Sequence, residues 1–119
     1  ALEAAAGSID VLWSVADSHV FSPQSTEPLI LAALRLRLPL IGISAAQVRA
    51  GAVAALYCDY QDIGRQAGEA ALAALAGHPP SERLIPPRTV SLALNLRSAN
   101  RCGVEVPAEL SDDAEMVFR

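Results

Sequence analysis

The sequence contains no lysine, and all nine of its basic residues are arginines scattered along the chain. Aromatic residues make up only 4% of the sequence, and the formal net charge is -4. Domains that bind nucleic acid usually carry a clustered basic face, so this composition argues against a nucleic-acid partner. Without lysine, the chain also cannot form the phosphate-binding loop Gly-x-x-x-x-Gly-Lys.

Cysteine and histidine are also scarce. Cys58 and Cys102 are the only cysteines, and because they form no Cys-x-x-Cys pair, we expect two unpaired thiols rather than a zinc site. His19 and His78 stand far apart and no carboxylates cluster near them, so no metal site is expected. The sequence has no Gly-x-Ser-x-Gly elbow, and a catalytic role for His19 is therefore disfavoured.

Long apolar runs are absent as well. No run approaches the roughly 18 residues that a membrane-spanning helix needs, and the first residues lack the basic start and apolar stretch of a signal peptide. Residues 1–6 resemble the end of a helix that Gly7 stops, which suggests a fragment. The chain has 119 residues and is 52% hydrophobic, so we expect a single α/β lobe spanning residues 1–119.

The most informative stretch covers residues 39–66. Leu40 to Ser44 is a short isoleucine-containing apolar run that predicts a buried strand. Residues 45–50 predict a short helix that ends at Gly51. Residues 52–58 predict a second strand, after which Asp59 begins a long helix as its N-cap. Two strands joined by a brief helical crossover indicate a parallel sheet.

The rest of the chain extends this pattern. Residues 9–15 predict the first strand, and a helix is expected to run from the Ser22 to Pro28 region to about Arg37. The helix after Asp59 is expected to press an alanine-rich face against the sheet, with Gly64 and Gly68 allowing close approach; its face comprises Ile63, Ala67, Ala70, Ala71 and Leu75. A half-buried alternating strand over 90–96, a short helix over 98–102 and a weak tail helix over 108–117 complete the predicted elements.

The predicted order is β-α-β-α-β-α-β with right-handed crossovers. It corresponds to an α/β fold, a three-layer α/β/α sandwich with a mostly parallel sheet. In such a sheet the loops that follow the strands, here 16–19, 44–47 and 58–61, are expected at one edge.

Four polar residues in these loops are candidate ligand contacts. Asp17 can accept hydrogen bonds from a ligand's hydroxyl or ammonium group, although Asp-Ser is also a common turn former. Ser18 and Ser44 each offer a hydroxyl to a small polar ligand, but for each of them a role as a turn residue is favoured. Asp59 is a candidate too, but its role as a helix cap is favoured.

Several stretches together resemble the substrate-binding proteins of ABC transporters with the type I periplasmic-binding-protein fold. The matching stretches are IDVLW at 9–13 with ADS at 16–18, RAGAVAALY at 49–57, DYQDIGRQA at 59–67 and VSLALNL at 90–96. The resemblance implies the carboxyl-terminal lobe of a two-lobe receptor whose amino-terminal lobe is absent. It places ligand contacts at strand-end residues, namely Asp17, Ser18, Ser44, Ala45, Cys58 and Asp59. Relatives often carry an acidic residue where this chain has Ala45, and its absence weakens the case for an amino-acid ligand.

The resemblance implies a non-enzymatic solute-binding component of an ABC-type importer. Such a protein binds a small polar solute between two lobes, works outside the cytoplasmic membrane with a transporter permease, and needs no cofactor. A lone lobe could also self-associate through its exposed apolar surface. The alternative is a ligand-sensing effector domain of a transcription regulator or receptor, which shares the fold. An enzyme of flavodoxin-like or Rossmann type is disfavoured because residues 16–19 lack a glycine-rich turn.

Overall fold

The computed structural model describes residues 2–119. The chain divides into two compact units, the first formed by residues up to 57 together with 92–119, and the second by residues 58–91. The elements are α1 (Leu2–Ala5), β1 (Leu12–Trp13), α2 (Thr26–Arg35), β2 (Leu40–Gly42), α3 (Ala45–Ala50), β3 (Ala54–Cys58), α4 (Tyr60–Leu75), β4 (Val90–Asn95), α5 (Leu96–Cys102), α6 (Ala108–Asp112) and β5 (Met116–Phe118).

The strands form one five-stranded sheet whose spatial order, β1-β2-β3-β4-β5, follows their order in the chain. β1 and β2 are parallel, with Leu12 opposite Leu40, and β2 and β3 are parallel, with Ile41 opposite Ala54. β4 and β5 are also parallel. The predicted α/β fold with a mostly parallel sheet and flanking helices is therefore confirmed.

One face of the sheet forms the core of the first unit. Leu40 and Ala55 are buried on this face, against Ile30 and Ala33 of α2 and Val48 of α3. Between these helices, Gly51 has a φ of +128°, and a Cβ there would lie 2.6 Å from Leu34 Cδ1. Glycine thus both ends α3 in a conformation that other residues avoid and leaves room for α2.

The opposite face of the sheet in the first unit is apolar and exposed. Neighbours in a parallel register share a face, so Trp13, Ile41 and Ala54 form one row across β1, β2 and β3. Trp13 of β1 is 73% exposed and Leu56 of β3 is 60% exposed, and Val11 and Val15, which flank β1, are at least half exposed as well. This surface is called the outer face below.

The second unit contains α4, and two predictions about this helix are wrong. Its alanine-rich face was expected to be buried, but no residue of α4 is buried. Gly64 and Gly68 were expected to allow close approach of a neighbour, but a Cβ at either position would meet no atom within 4 Å. The helix begins as predicted, because Asp59 is its N-cap.

Three further predictions need correction. The first strand pairs only over Leu12–Trp13, because its partner β2 is itself three residues long. β4 is exposed at its start and buried at its end rather than alternating. The tail helix stops at Asp112, and Met116–Phe118 forms a strand because it pairs with β4.

Candidate functional site

The loops that follow β1 and β2 lie at the same edge of the sheet. The two strands are parallel and in register, with Trp13 opposite Ile41, so the chain leaves both at their carboxyl ends in one place. β3 is parallel to β2 and reaches the same edge at Tyr57, the last residue of this segment of the first unit. We call this region, with loops 14–19 and 43–45, the carboxyl edge.

The loop after β1 is built around Asp17. The His19 backbone N–H donates to Asp17 Oδ1 at 2.8 Å, and His19 Nδ1 lies 3.3 Å from the same oxygen. The backbone carbonyl of Asp17 accepts the Phe21 N–H at 2.8 Å. Asp17 therefore acts as a turn former, as the alternative interpretation of the sequence held. Its side chain is still 46% exposed, and the neighbouring Ser18 is exposed as well.

The loop after β2 is held by Gln47, a residue that the sequence interpretation missed. Ser44 is the N-cap of α3, and its Oγ accepts the Gln47 N–H at 3.3 Å. The Gln47 side chain reaches back, and its Oε1 accepts the Ile43 N–H at 2.8 Å. This reciprocal arrangement resembles a capping box, and the pattern Ser-x-x-Gln would have predicted it. Ala45, the first residue of α3, is half-buried.

Gly42 makes the reach of Gln47 possible. A Cβ at position 42 would lie 2.7 Å from Gln47 Oε1 and 3.1 Å from Gln47 Cβ. The position is buried, so the amide has little freedom to move aside. The conformation of the loop that carries Ser44 therefore requires glycine at position 42, because a methyl group there would clash with the Gln47 side chain.

In the second unit, Cys58 ends β3 and Asp59 caps α4. Asp59 Oδ1 accepts the Gln61 N–H at 2.8 Å and the Asp62 N–H at 3.3 Å. Capping was the favoured interpretation of Asp59, and it is confirmed. The two predicted contacts in this unit, Cys58 and Asp59, stay predictions as ligand residues.

Asn95, at the end of β4, caps the next helix with its side chain, as Ser44 and Asp59 do. Its Oδ1 accepts the Ser98 N–H at 2.9 Å, which caps α5, while its Nδ2 donates to the Val48 carbonyl at 2.9 Å. Asn95 and Ser98 are buried, so this bridge joins α5 to the last turn of α3 largely away from water. The sequence analysis placed Asn95 only within the alternating strand over 90–96 and missed this bridge, because its partner Val48 is 47 positions away.

The capping residues bear on how a ligand could be held here. Backbone N–H groups at the start of a helix can donate hydrogen bonds to an anion only where no group of the protein already accepts from them. At the starts of α3, α4 and α5, amides of the first turn already donate to Ser44, Asp59 and Asn95. Exposed side chains such as those of Asp17 and Ser18 are therefore the better candidates for ligand contacts.

Other kinds of site find little support in the described part of the chain. Within residues 2–119, no three histidine, cysteine or acidic side chains are grouped as a metal ion requires. Cys58 and Cys102 are both free thiols, and burial raises the pKa of the Cys102 thiol. In the same residues, no helix has the length and apolar character needed to cross a membrane.

The sequence profile of the family described as ABC transporter substrate binding protein matches residues 1–118. The chain belongs to this family. Among curated proteins, none matches the chain.

Solved structures resemble the chain over 98% of its length. A conserved domain protein from Vibrio cholerae O1 biovar El Tor shares 29% identity at a TM-score of 0.71. An ABC domain from Streptococcus pneumonia in complex with L-Trp shares 19% identity at a TM-score of 0.70. A substrate-binding protein with adhesive properties from Clostridium difficile, in its ligand-free, open form, shares 22% identity at a TM-score of 0.63.

In each case the chain covers 39% of the solved chain. It therefore corresponds to less than half of the proteins that it resembles. The likeness to the two structures under 25% identity concerns the fold, which is the predicted periplasmic-binding-protein-like α/β lobe.

Proposed function

We propose that the chain is the carboxyl-terminal lobe of a solute-binding component of an ABC-type importer. It would bind a small polar solute, an amino acid or a similar molecule, in the cleft between this lobe and an amino-terminal lobe. The proposal rests on one observation above the others: the loop with the exposed Asp17 and Ser18 lies beside the loop with Ser44 at the carboxyl edge of a sheet, in a chain of the substrate-binding family.

The chemistry of the carboxyl edge suits a ligand that donates hydrogen bonds. The exposed carboxylate of Asp17 can accept from hydroxyl or ammonium groups, and Ser18 can accept or donate. The loop with Ser44 and Ala45 is fixed by Gln47, so it would need little reordering on binding. The roles of Cys58 and Asp59, in the second unit, are proposed from the family resemblance alone.

No chemical step is proposed for the chain. A receptor of this kind works by closing two lobes on its ligand, which excludes water from the polar contacts. The family association also supports a location outside the cytoplasmic membrane, in the periplasm or an equivalent compartment, with a transporter permease as partner.

The proposal predicts weak binding at a defined place. Half of the contacts would be missing from a lone lobe, so we expect dissociation constants in the millimolar range rather than the micromolar. Backbone amide chemical shifts of the 119-residue chain would be followed by NMR during titration with L-tryptophan, other amino acids and sugars. Shifts should concentrate at residues 16–19 and 43–45.

Asp10 provides a matched control for Asp17, because the two aspartates flank β1 at opposite ends. Asp17→Asn should weaken the response to the best ligand severalfold, since the carboxylate would no longer attract an ammonium group. Asp10→Asn should leave it unchanged. Tight binding by the lone chain would contradict the proposal, and so would chemical-shift changes confined to residues away from the carboxyl edge. The absence of any chemical-shift change with every ligand tested would also contradict it.

A further inference from the structure

The segment between α4 and β4 is long, exposed and without regular structure. Residues 81–89, called the strap below, form no helix or strand, and every one of them is exposed. Prolines at positions 86 and 87 remove two backbone donors from it. Such a segment lacks the backbone hydrogen bonds by which a helix or strand keeps one conformation. Its order therefore depends on its contacts with α4.

The side-chain amide of Gln66 in α4 forms hydrogen bonds with the backbone of the strap. Its Nε2 donates to the Pro86 carbonyl at 2.9 Å, and its Oε1 accepts the Arg88 N–H at 3.3 Å. One side-chain amide thus pairs with an acceptor and a donor two residues apart, as a neighbouring strand would.

Arg88 of the strap binds two carboxylates of α4. Its Nε lies 3.1 Å from both Asp62 oxygens, its Nη2 lies 2.9 Å from Asp62 Oδ1, and its Nη1 lies 2.9 Å from Glu69 Oε2. Thr89 Oγ1 also donates to Asp62 Oδ2 at 3.3 Å. Asp62, Gln66 and Glu69 recur at spacings of four and three, so they share one face of α4. The planar guanidinium fork is suited to such double pairing.

The position of Asp62 makes these contacts stronger than an ordinary surface pair. Its side chain is only 16% exposed, and hydrogen bonding to Arg88 lowers the pKa of its carboxyl. Exposed single ion pairs contribute little, but a bidentate arginine in a network of charges is the recognised exception.

Apolar packing between strap and helix is incomplete. Beside their hydrogen bonds, a cavity of about 280 Å³ lies between strap and helix. It is lined by Ile63, Gln66, Ala67, Ala70, Arg83, Ile85 and Pro87. Because the strap does not fill the space beside α4, burial alone does not fix it there.

We propose that Asp62, Gln66, Glu69 and Arg88 form a polar latch that fastens the strap to α4, and that the strap detaches as a unit when the latch opens while α4 stays helical. The inference concerns the conformation of residues 58–91 and does not depend on which solute the protein binds.

Amide hydrogen exchange on the 119-residue chain tests the latch. The reporting amide is that of residue 88, because the Arg88 N–H is the strap amide that donates within the latch, to Gln66 Oε1. Arg88→Gln should lower the protection of this amide by roughly three- to tenfold while the amides of the middle of α4 change little. Arg83→Gln is the control, because Arg83 lines the cavity but makes no ion pair in the described chain.

One further variant and a change of salt concentration separate the geometry of the latch from its charge. Arg88→Lys keeps the charge but loses the fork, and its residue-88 amide should exchange nearly as fast as that of Arg88→Gln. Raising the salt concentration should speed strap exchange in the wild type but not in Arg88→Gln. A wild-type Arg88 amide that exchanges at the unprotected rate would overturn the proposal, and so would equal effects of Arg83→Gln and Arg88→Gln on that amide.

Discussion

The two units of the chain are held by different forces. In the first unit, apolar side chains of β2, α2 and α3 are removed from water, and the few buried polar residues are uncharged: Ser14, Gln47, Asn95 and Ser98. In the second unit, no residue of α4 is buried, and an arginine between two carboxylates joins the helix to the strap.

This difference predicts different responses to the same perturbation. The interior of the first unit should be sensitive to the volume of its side chains and insensitive to pH and salt. The second unit should tolerate changes of volume and respond to changes of charge. The same substitutions, made once in each unit, can therefore test the contrast.

The largest effect is expected from truncating a leucine. Leu40→Ala removes a side chain that is 2% exposed in the core cluster, and it should lower the free energy of unfolding by about 2–5 kcal/mol. Leu72→Ala removes one that is 70% exposed on α4, and it should change that free energy by no more than about 0.5 kcal/mol. Urea denaturation followed by circular dichroism measures both. Similar costs at the two sites would refute the contrast.

An intermediate effect is expected from adding a methyl group. Gly42→Ala would bring a Cβ to 2.7 Å from Gln47 Oε1, and it should destabilise the chain by about 1–3 kcal/mol through overpacking. Gly68→Ala, in the interior of α4 where nothing lies within 4 Å, should instead stabilise it by about 0.5–1 kcal/mol, because alanine favours a helix. Opposite signs in thermal denaturation support the comparison, and a harmless Gly42→Ala would count against it.

The smallest effect concerns pH and is confined to the second unit. Hydrogen bonding to Arg88 lowers the pKa of Asp62 below its ordinary value of 3.8, and the charge of Arg65 acts in the same direction. Since the folded-state pKa is the lower one, the stabilisation is fully present above the ordinary value and is lost as pH falls through the folded value. Strap amide protection should therefore be constant at neutral pH and fall only in acid below about pH 4.

Titration of the Asp62 side-chain carbon by NMR measures this directly. The midpoint should lie below 3.8 in the wild type and rise in Arg88→Gln, because Arg88 is the largest cause of the shift. A midpoint that is the same in the two proteins would show that the latch does not bind Asp62 in solution.

Local signals allowed the short elements of the central stretch to be predicted from sequence. α3 runs from Ala45 to Ala50 as expected, because Ser44 and Gly51 mark its two ends by capping chemistry. Asp59 marked the start of α4 in the same way. These signals act between residues a few positions apart, so a single sequence contains them.

The features that sequence reasoning missed depend on distant partners. Residues 116–118 form a strand only because they pair with β4, and the Arg49 guanidinium lies 5.6 Å from the centre of the Phe118 ring. The contact between Asp62 and Arg88 joins positions 26 apart, and no periodicity in the chain indicates it. Gln47 is the exception, since the pattern Ser-x-x-Gln was present and was overlooked.

The outer face contains the chain's single tryptophan. Because the Trp13 indole is 73% exposed on β1, its fluorescence needs no engineered label to report the polarity around that strand. Emission should shift toward the blue when another polypeptide shields the indole, and stay red while water surrounds it. The emission spectrum therefore records whether this surface is covered or open to water.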